Sequence, residues 1–172
     1  ELDISDEFIR YPLDYEEQAR IDIDDDMTLF VVDVPIIEDD SDGKSYSTMP
    51  LGMIVVRDEF FITVSLRKNR IIDSFEKGRV KGMCTYKKTR FLIQILYLNA
   101  SYYLNDLKKI NRQTERTVQA LQKSMRNKEL IQLLNVEKSL VYITTSLKAN
   151  ELVMEKTARG KILKSYEEDD DI

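Results

Sequence analysis

Thr28-Leu29-Phe30-Val31-Val32-Asp33-Val34 is the stretch on which the fold turns. It is rich in β-formers and bounded by Asp26 and Pro35. Its apolar residues run on continuously instead of alternating, which is the pattern of a strand buried on both faces. Just upstream, Arg20-Ile21-Asp22-Ile23-Asp24 alternates charged and apolar residues and predicts a half-buried strand. Ahead of it, Ser5 to Arg10 predicts a short helix with Ser5 as N-cap and Pro12 ending it, and Tyr15 to Ala19 a further turn. Downstream, residues 38–45 read as a polar loop with a turn glycine, Gly43. Strands then follow at Ser47 to Val56 and Phe60 to Leu66, joined by the tight turn Arg57-Asp58-Glu59. Pro50 has no amide proton, so it belongs at an edge or irregularity of the sheet. Ile71 to Lys77 predicts a short helix stopped by Gly78, and Gly82 to Thr85 a connector.

The second half has another character. From about Lys88 to Met125 neither Gly nor Pro interrupts the chain, and Leu107, Ile110, Thr114, Thr117 and Leu121 step by three and four. After the polar corner Arg126-Asn127-Lys128, a second series follows at Leu130, Leu133, Glu137, Leu140, Thr144, Leu147, Glu151 and Met154. Two long helices in heptad register are expected, and the short corner makes them an antiparallel hairpin. At 1.5 Å per residue each is roughly 45–55 Å long. Gly160 ends the second helix. Ser165-Tyr166-Glu167-Glu168 then matches a capping box, as if a third helix starts there.

Composition narrows the chemistry. The 172 residues carry a net charge of −5, with acids grouped at Asp22–Asp26, Glu38–Asp42 and Glu167–Asp171, so nucleic acid is a poor partner. With no histidine and a single cysteine, Cys84, the chain lacks the means for Ser–His or Cys–His catalysis and for the usual zinc sites. It has no Gly-rich phosphate loop, and no enzyme activity is expected. A metal ion here is held by oxygen, which favours hard cations such as magnesium or calcium. No apolar run approaches the roughly 20 residues of a membrane helix.

Several stretches resemble the CorA family of magnesium transporters. They are Glu17-Gln18-Ala19-Arg20-Ile21-Asp22-Ile23-Asp24-Asp25-Asp26 before the hydrophobic strand, and Pro50-Leu51-Gly52-Met53-Ile54 with Phe61-Ile62-Thr63-Val64. Thr89-Arg90-Phe91-Leu92 resembles the start of the first long helix, and Asn127-Lys128-Glu129-Leu130 through Tyr142 the corner and return helix. Lys164-Ser165-Tyr166-Glu167-Glu168-Asp169 resembles the start of the stalk that runs into the membrane. The resemblance covers nearly the whole chain and rests on the order and spacing of its pieces.

What the resemblance implies is an α+β fold: an α/β/α sandwich, a mixed β-sheet flanked by helices, with a long antiparallel helical hairpin. Residues 1–86 would be the α/β layer, with the first strands of the domain missing. Residues 87–160 would be the hairpin (the willow helices), and 161–172 the start of a truncated stalk helix. The parent would be a homopentameric transporter in the cell membrane, this domain lying on its cytoplasmic side and meeting the membrane only through helices beyond Ile172. The family's Gly-Met-Asn pore motif is absent, since Gly52-Met53 precedes Ile54 and Gly82-Met83 precedes Cys84, so this piece alone cannot conduct. In the family an acidic pair at the turn before the hydrophobic strand faces a neighbouring subunit across a divalent ion. Asp25 and Asp26 occupy that turn, as a regulatory, low-affinity Mg2+ site that other divalent cations could also fill. A family acid of the first long helix is replaced near Asn111. The spacing Asp22-x-Asp24-x-Asp26 is no EF-hand, because Met27 stands where that loop needs glycine. The competing readings are a soluble adaptor or scaffold built on the helical arm, an enzyme with a carboxylate-bound metal such as a phosphohydrolase, which the missing histidine and phosphate loop disfavour, and, within the transporter class, a zinc-exporting relative.

Overall fold

The computed structural model describes residues 4–40, 43–123, 127–160 and 162. In chain order the elements are α1 (Asp6–Arg10), a 3-10 turn at Tyr11–Leu13, β1 (Arg20–Asp24), β2 (Met27–Asp40), β3 (Gly43–Val56), β4 (Phe60–Ser65), α2 (Arg70–Glu76), α3 (Lys88–Lys123) and α4 (Asn127–Arg159).

The strands lie in the order β1-β2-β3-β4, and every neighbouring pair is antiparallel. The mixed sheet of the sequence reading is therefore, among the described residues, an antiparallel meander. The β1–β2 and β3–β4 connections are tight turns, whereas parallel neighbours need a crossover of about a dozen residues. Continuous burial nonetheless holds: Leu29, Phe30, Val31 and Val32 are all fully buried. On one face Phe30, Val32, Leu51 and Met53 pack against α2, the first turns of α3 and Val153 of α4. On the other, Leu29, Val31, Ile54 and Val56 pack against Phe8 of α1 and Tyr11. Two helical layers thus enclose one sheet, an α/β/α sandwich.

β2 and β3 outrun their neighbours. β1 ends its pairing at Arg20↔Val31 and β4 at Leu51↔Ser65, while β2 and β3 continue together to Asp40↔Gly43. The expected loop at 38–45 is thereby taken into a two-stranded ribbon, with only 41 and 42 outside the described residues. Pairing satisfies its backbone, and Ile37 and Tyr46 join the apolar cluster under the hairpin. Both ribbon prolines fall where the ladder has lost a neighbour. Pro35 lies past the end of β1 and Pro50 at the end of β4, so neither missing amide breaks a bond. Pro35 therefore does not end β2. Pro12, likewise, starts the 3-10 turn that follows α1, and Ser5 caps α1 without a side-chain hydrogen bond.

Asn69 caps α2, its Oδ1 accepting from the amides of Ile71 at 3.1 Å and Ile72 at 3.0 Å. Gly78 follows with φ of 63°, the left-handed position that ends a helix at no steric cost. Lys87, just ahead of α3, is buried. The hairpin is antiparallel: Asn99 and Asn150 meet over Asp33, and Thr117 Oγ1 donates to Gln132 Oε1 at 3.3 Å.

For α3 the expected stripe holds, with Ile110 and Thr117 buried and Leu107 half-buried. For α4 it is displaced. The buried residues are Val136, Ser139, Ile143, Ser146, Asn150 and Val153, a heptad series in which three of the six are polar. Leu130, Leu140 and Met154 of the expected stripe are exposed, at 49%, 39% and 41%. The leucines misled the reading because the true seam is chosen by hydroxyls and an amide that bond the sheet. The capping box at 165–168 lies outside the described residues.

Candidate functional site

Asp25 and Asp26 form the two-residue turn between β1 and β2, closed by the pair Asp24↔Met27. Asp25 takes a φ of 43°, which aspartate tolerates better than most residues in such hairpins. Both side chains are exposed. The adjacent β3–β4 turn supports this one: Arg57 N donates to Asp26 O at 2.8 Å, and its Nε lies 3.3 Å from Asp26 Oδ2. Arg57 and Asp58 themselves hold φ of 51° and 54°. This end of the sheet carries exposed Asp24, Asp25, Asp26, Asp58 and Glu59 around Arg57. Asp22 is engaged elsewhere, accepting from Arg20 Nε at 2.6 Å.

Among the described residues no three His, Cys, Asp or Glu side chains converge in a geometry ready to hold a metal ion. Asp25 and Asp26 are thus brought together at an open rim, with Arg57 offsetting part of their charge. Such a rim can take up a hydrated cation through water-mediated contacts or with oxygens supplied by another surface. The role of Arg57 was missed in sequence, although a cation directly before Asp58-Glu59 in a tight turn was legible there. Asn111 sits exposed on α3, its Nδ2 donating to Glu115 Oε1 at 2.9 Å.

A second constellation was invisible in sequence. Where β2 loses β1, the backbone of Asp33 is taken over by the hairpin. Its amide donates to Asn150 Oδ1 at 2.8 Å. Its carbonyl accepts from Asn99 Nδ2 and Asn150 Nδ2, each at 2.8 Å, and from Tyr103 Oη at 3.2 Å. Burial raises the pKa of the Asp33 carboxyl, and the neighbouring Ser146 hydroxyl partly opposes that. Burial likewise pushes the Tyr103 phenol up, so it remains a donor. Further along, Ser139 Oγ accepts from Tyr46 N at 3.0 Å, and Ser146 Oγ donates to Thr48 Oγ1 at 2.9 Å. Beneath these, Asp106 is fully buried between Arg70 of α2 and Lys109, 2.9 Å away. Arg70 also donates to Pro35 O at 3.0 Å and lies over the Tyr102 ring. These contacts fix where the hairpin sits on the sheet.

The outer side of α4 is also apolar. At 100° per residue, Leu130, Leu134, Val141 and Leu152 fall within one narrow sector, opposite the buried seam, and all four are exposed. No helix among the described residues is long and apolar enough to cross a membrane.

Comparison with known proteins agrees with this architecture. The family model described as CorA-like Mg2+ transporter protein matches residues 1–172. The soluble domain of CorA from Methanocaldococcus jannaschii is similar in structure, with a TM-score of 0.79 at 23% identity, covering 92% of this chain and 63% of that one. The complete CorA magnesium transporter of the same organism gives a TM-score of 0.81 at 23% identity, covering 96% of this chain and 51% of that one. The chain therefore spans between about half and under two thirds of those two structures. No curated protein matches it.

Proposed function

We propose, from the premise that this chain belongs to the CorA-like Mg2+ transporter family, that it is the cytosolic regulatory part of a homopentameric divalent-cation transporter in the cell membrane. In this reading residues 1–86 are the α/β layer, 87–160 the willow hairpin and 161–172 the start of the stalk, nearly all of the last lying outside the described residues. The chain senses the ion that its parent carries, and catalysis is no part of the role.

The observation that carries the sensing role is the exposed Asp25–Asp26 turn, fixed by Arg57 at one rim of the sheet. Two carboxylates brought up to a third on a neighbouring subunit repel one another. A magnesium ion relieves that repulsion through direct or water-mediated oxygens. Plentiful ion would hold the ring closed, and ion loss would loosen it, provided that binding favours the closed state. The outward apolar residues of α4 support packing against further helices in an assembly, since a helix apolar on opposite sides is normally covered on both.

The test is a Mg2+ titration of the intact parent protein, read by thermal unfolding and by assembly state. Mg2+ is expected to raise the melting temperature and favour the closed ring, and D25N/D26N to abolish the dependence. A parent whose stability and assembly ignore Mg2+ would defeat the sensing role.

A further inference from the structure

We propose that the cleft between the ribbon and α3, walled by Lys44, Lys109, Arg112 and Arg116, is a binding site for a phosphate-type anion. This inference is independent of the cation-sensing role and concerns ligands of the opposite charge.

The cleft is an open groove of about 540 Å³, within the range of small-ligand sites. Lys109, Arg112, Gln113 and Arg116 stand at steps of three, one and three along α3, which places them on one side of the helix. Lys44 reaches the same space from β3, across 65 residues of chain from Lys109. In a chain with net charge −5, the stretch from Leu107 to Lys123 holds Lys108, Lys109, Arg112, Arg116 and Lys123 against one acid, Glu115. Glu115 is not among the walls of the cleft and instead accepts from Asn111. Glu38 of β2 pairs with Arg67 at 3.6 Å. Among the described residues no carboxylate pairs with Lys44, Arg112 or Arg116.

Like charges drawn from two distant segments around one hollow repel, and a multiply charged anion removes that repulsion. A cleft of one sign also focuses its field and raises the local concentration of counter-ions. Arginine presents planar forks that match phosphate oxygens, and the lysines add point charges. Lys109 is anchored from below by buried Asp106, which orients it along the wall. Tyr46 is buried in the floor, and burial raises its pKa, so its phenol stays protonated and able to donate. The chemistry is that of a phosphoryl group, carried by a soluble phosphorylated molecule or by an anionic lipid headgroup.

The experiment uses this chain at about 0.15 M salt, where weak surface attraction is screened. Sodium pyrophosphate is titrated calorimetrically. In parallel, the chain is sedimented with vesicles of phosphatidylcholine alone and of phosphatidylcholine with phosphatidylglycerol. Saturable pyrophosphate binding is expected, weakened at least about tenfold by R112Q/R116Q and changed less than about twofold by K156Q/R159Q at the far end of α4. Both arginines are exposed, so the double variant should keep the wild-type melting curve. If only the phosphatidylglycerol vesicles bind, and R112Q/R116Q releases them, the site stands and its ligand is a lipid headgroup. Undiminished binding of either probe in R112Q/R116Q, or no saturable binding of either by the wild type, overturns the site.

Discussion

Around Phe30, β2 is buried by hydrocarbon on both faces. Three residues later, around Asp33, the same strand is covered by amides and hydroxyls: Asn99, Asn150 and Tyr103 take the hydrogen bonds that a neighbouring strand would have made. The first region gains stability in proportion to buried area and tolerates a range of apolar shapes. The second adds less per contact, but its donors and acceptors must coincide, so it sets the register of two long helices on the sheet. Apolar burial holds the layers together, and the polar clamp decides how they are aligned.

The largest expected effect breaks the first region. Phe30→Ala leaves a cavity in the fully buried core and should cost about 4 kcal/mol in urea unfolding. Asp106→Ala comes next. It strips Arg70 and Lys109 of a fully buried partner, and because the Arg70 side chain is 30% exposed the loss should be about 3 kcal/mol, at the low end for such pairs. Asn150→Ala orphans the Asp33 amide while Asn99 and Tyr103 keep the carbonyl, for about 2 kcal/mol. If Asn150→Ala were silent while Leu130→Ser on the outer side cost more, the polar clamp would not be what seats α4 on the sheet.

The smallest effect is a slope against pH. Burial lifts the Asp33 pKa above its unfolded value, so the folded state binds a proton that the unfolded chain has already released. The contribution of Asp33 is therefore most favourable below the unfolded pKa, near 3.9, and declines as pH rises through the folded one. Asp33→Asn should be more stable than wild type at neutral pH, the gap closing as pH falls towards 4. Thermal melts over that range read the trend, and a constant gap would show that the carboxylate is not strained by burial.

Much of this was legible because local patterns report local causes. Leu29 to Val32 announced a doubly buried strand, alternation marked β1, Gly78 and Gly160 marked helix ends, and the turn at Arg57–Glu59 was placed correctly. The ribbon was not legible. Residues 38–40 and 43–45 are polar, and their strand conformation comes from pairing with each other over the hairpin. Nor was the seam of α4, where Ser139, Ser146 and Asn150 displace leucines from the buried side. Asp25 and Asp26 were legible as a turn, while their tie to Arg57 depends on a second turn folding beside them.

The sequence by itself determined the elements: four strands, two short helices, two long helices and an acidic turn ahead of the buried strand. Each follows from propensity and periodicity over a few neighbouring residues. Only the tertiary structure decided which side of α4 is buried, what replaces β1 at Asp33, and that Lys44 shares a cleft with Arg112 and Arg116. Those outcomes depend on hydrogen-bond partners and charges far apart in the chain, and no local pattern can encode a partner that arrives from elsewhere.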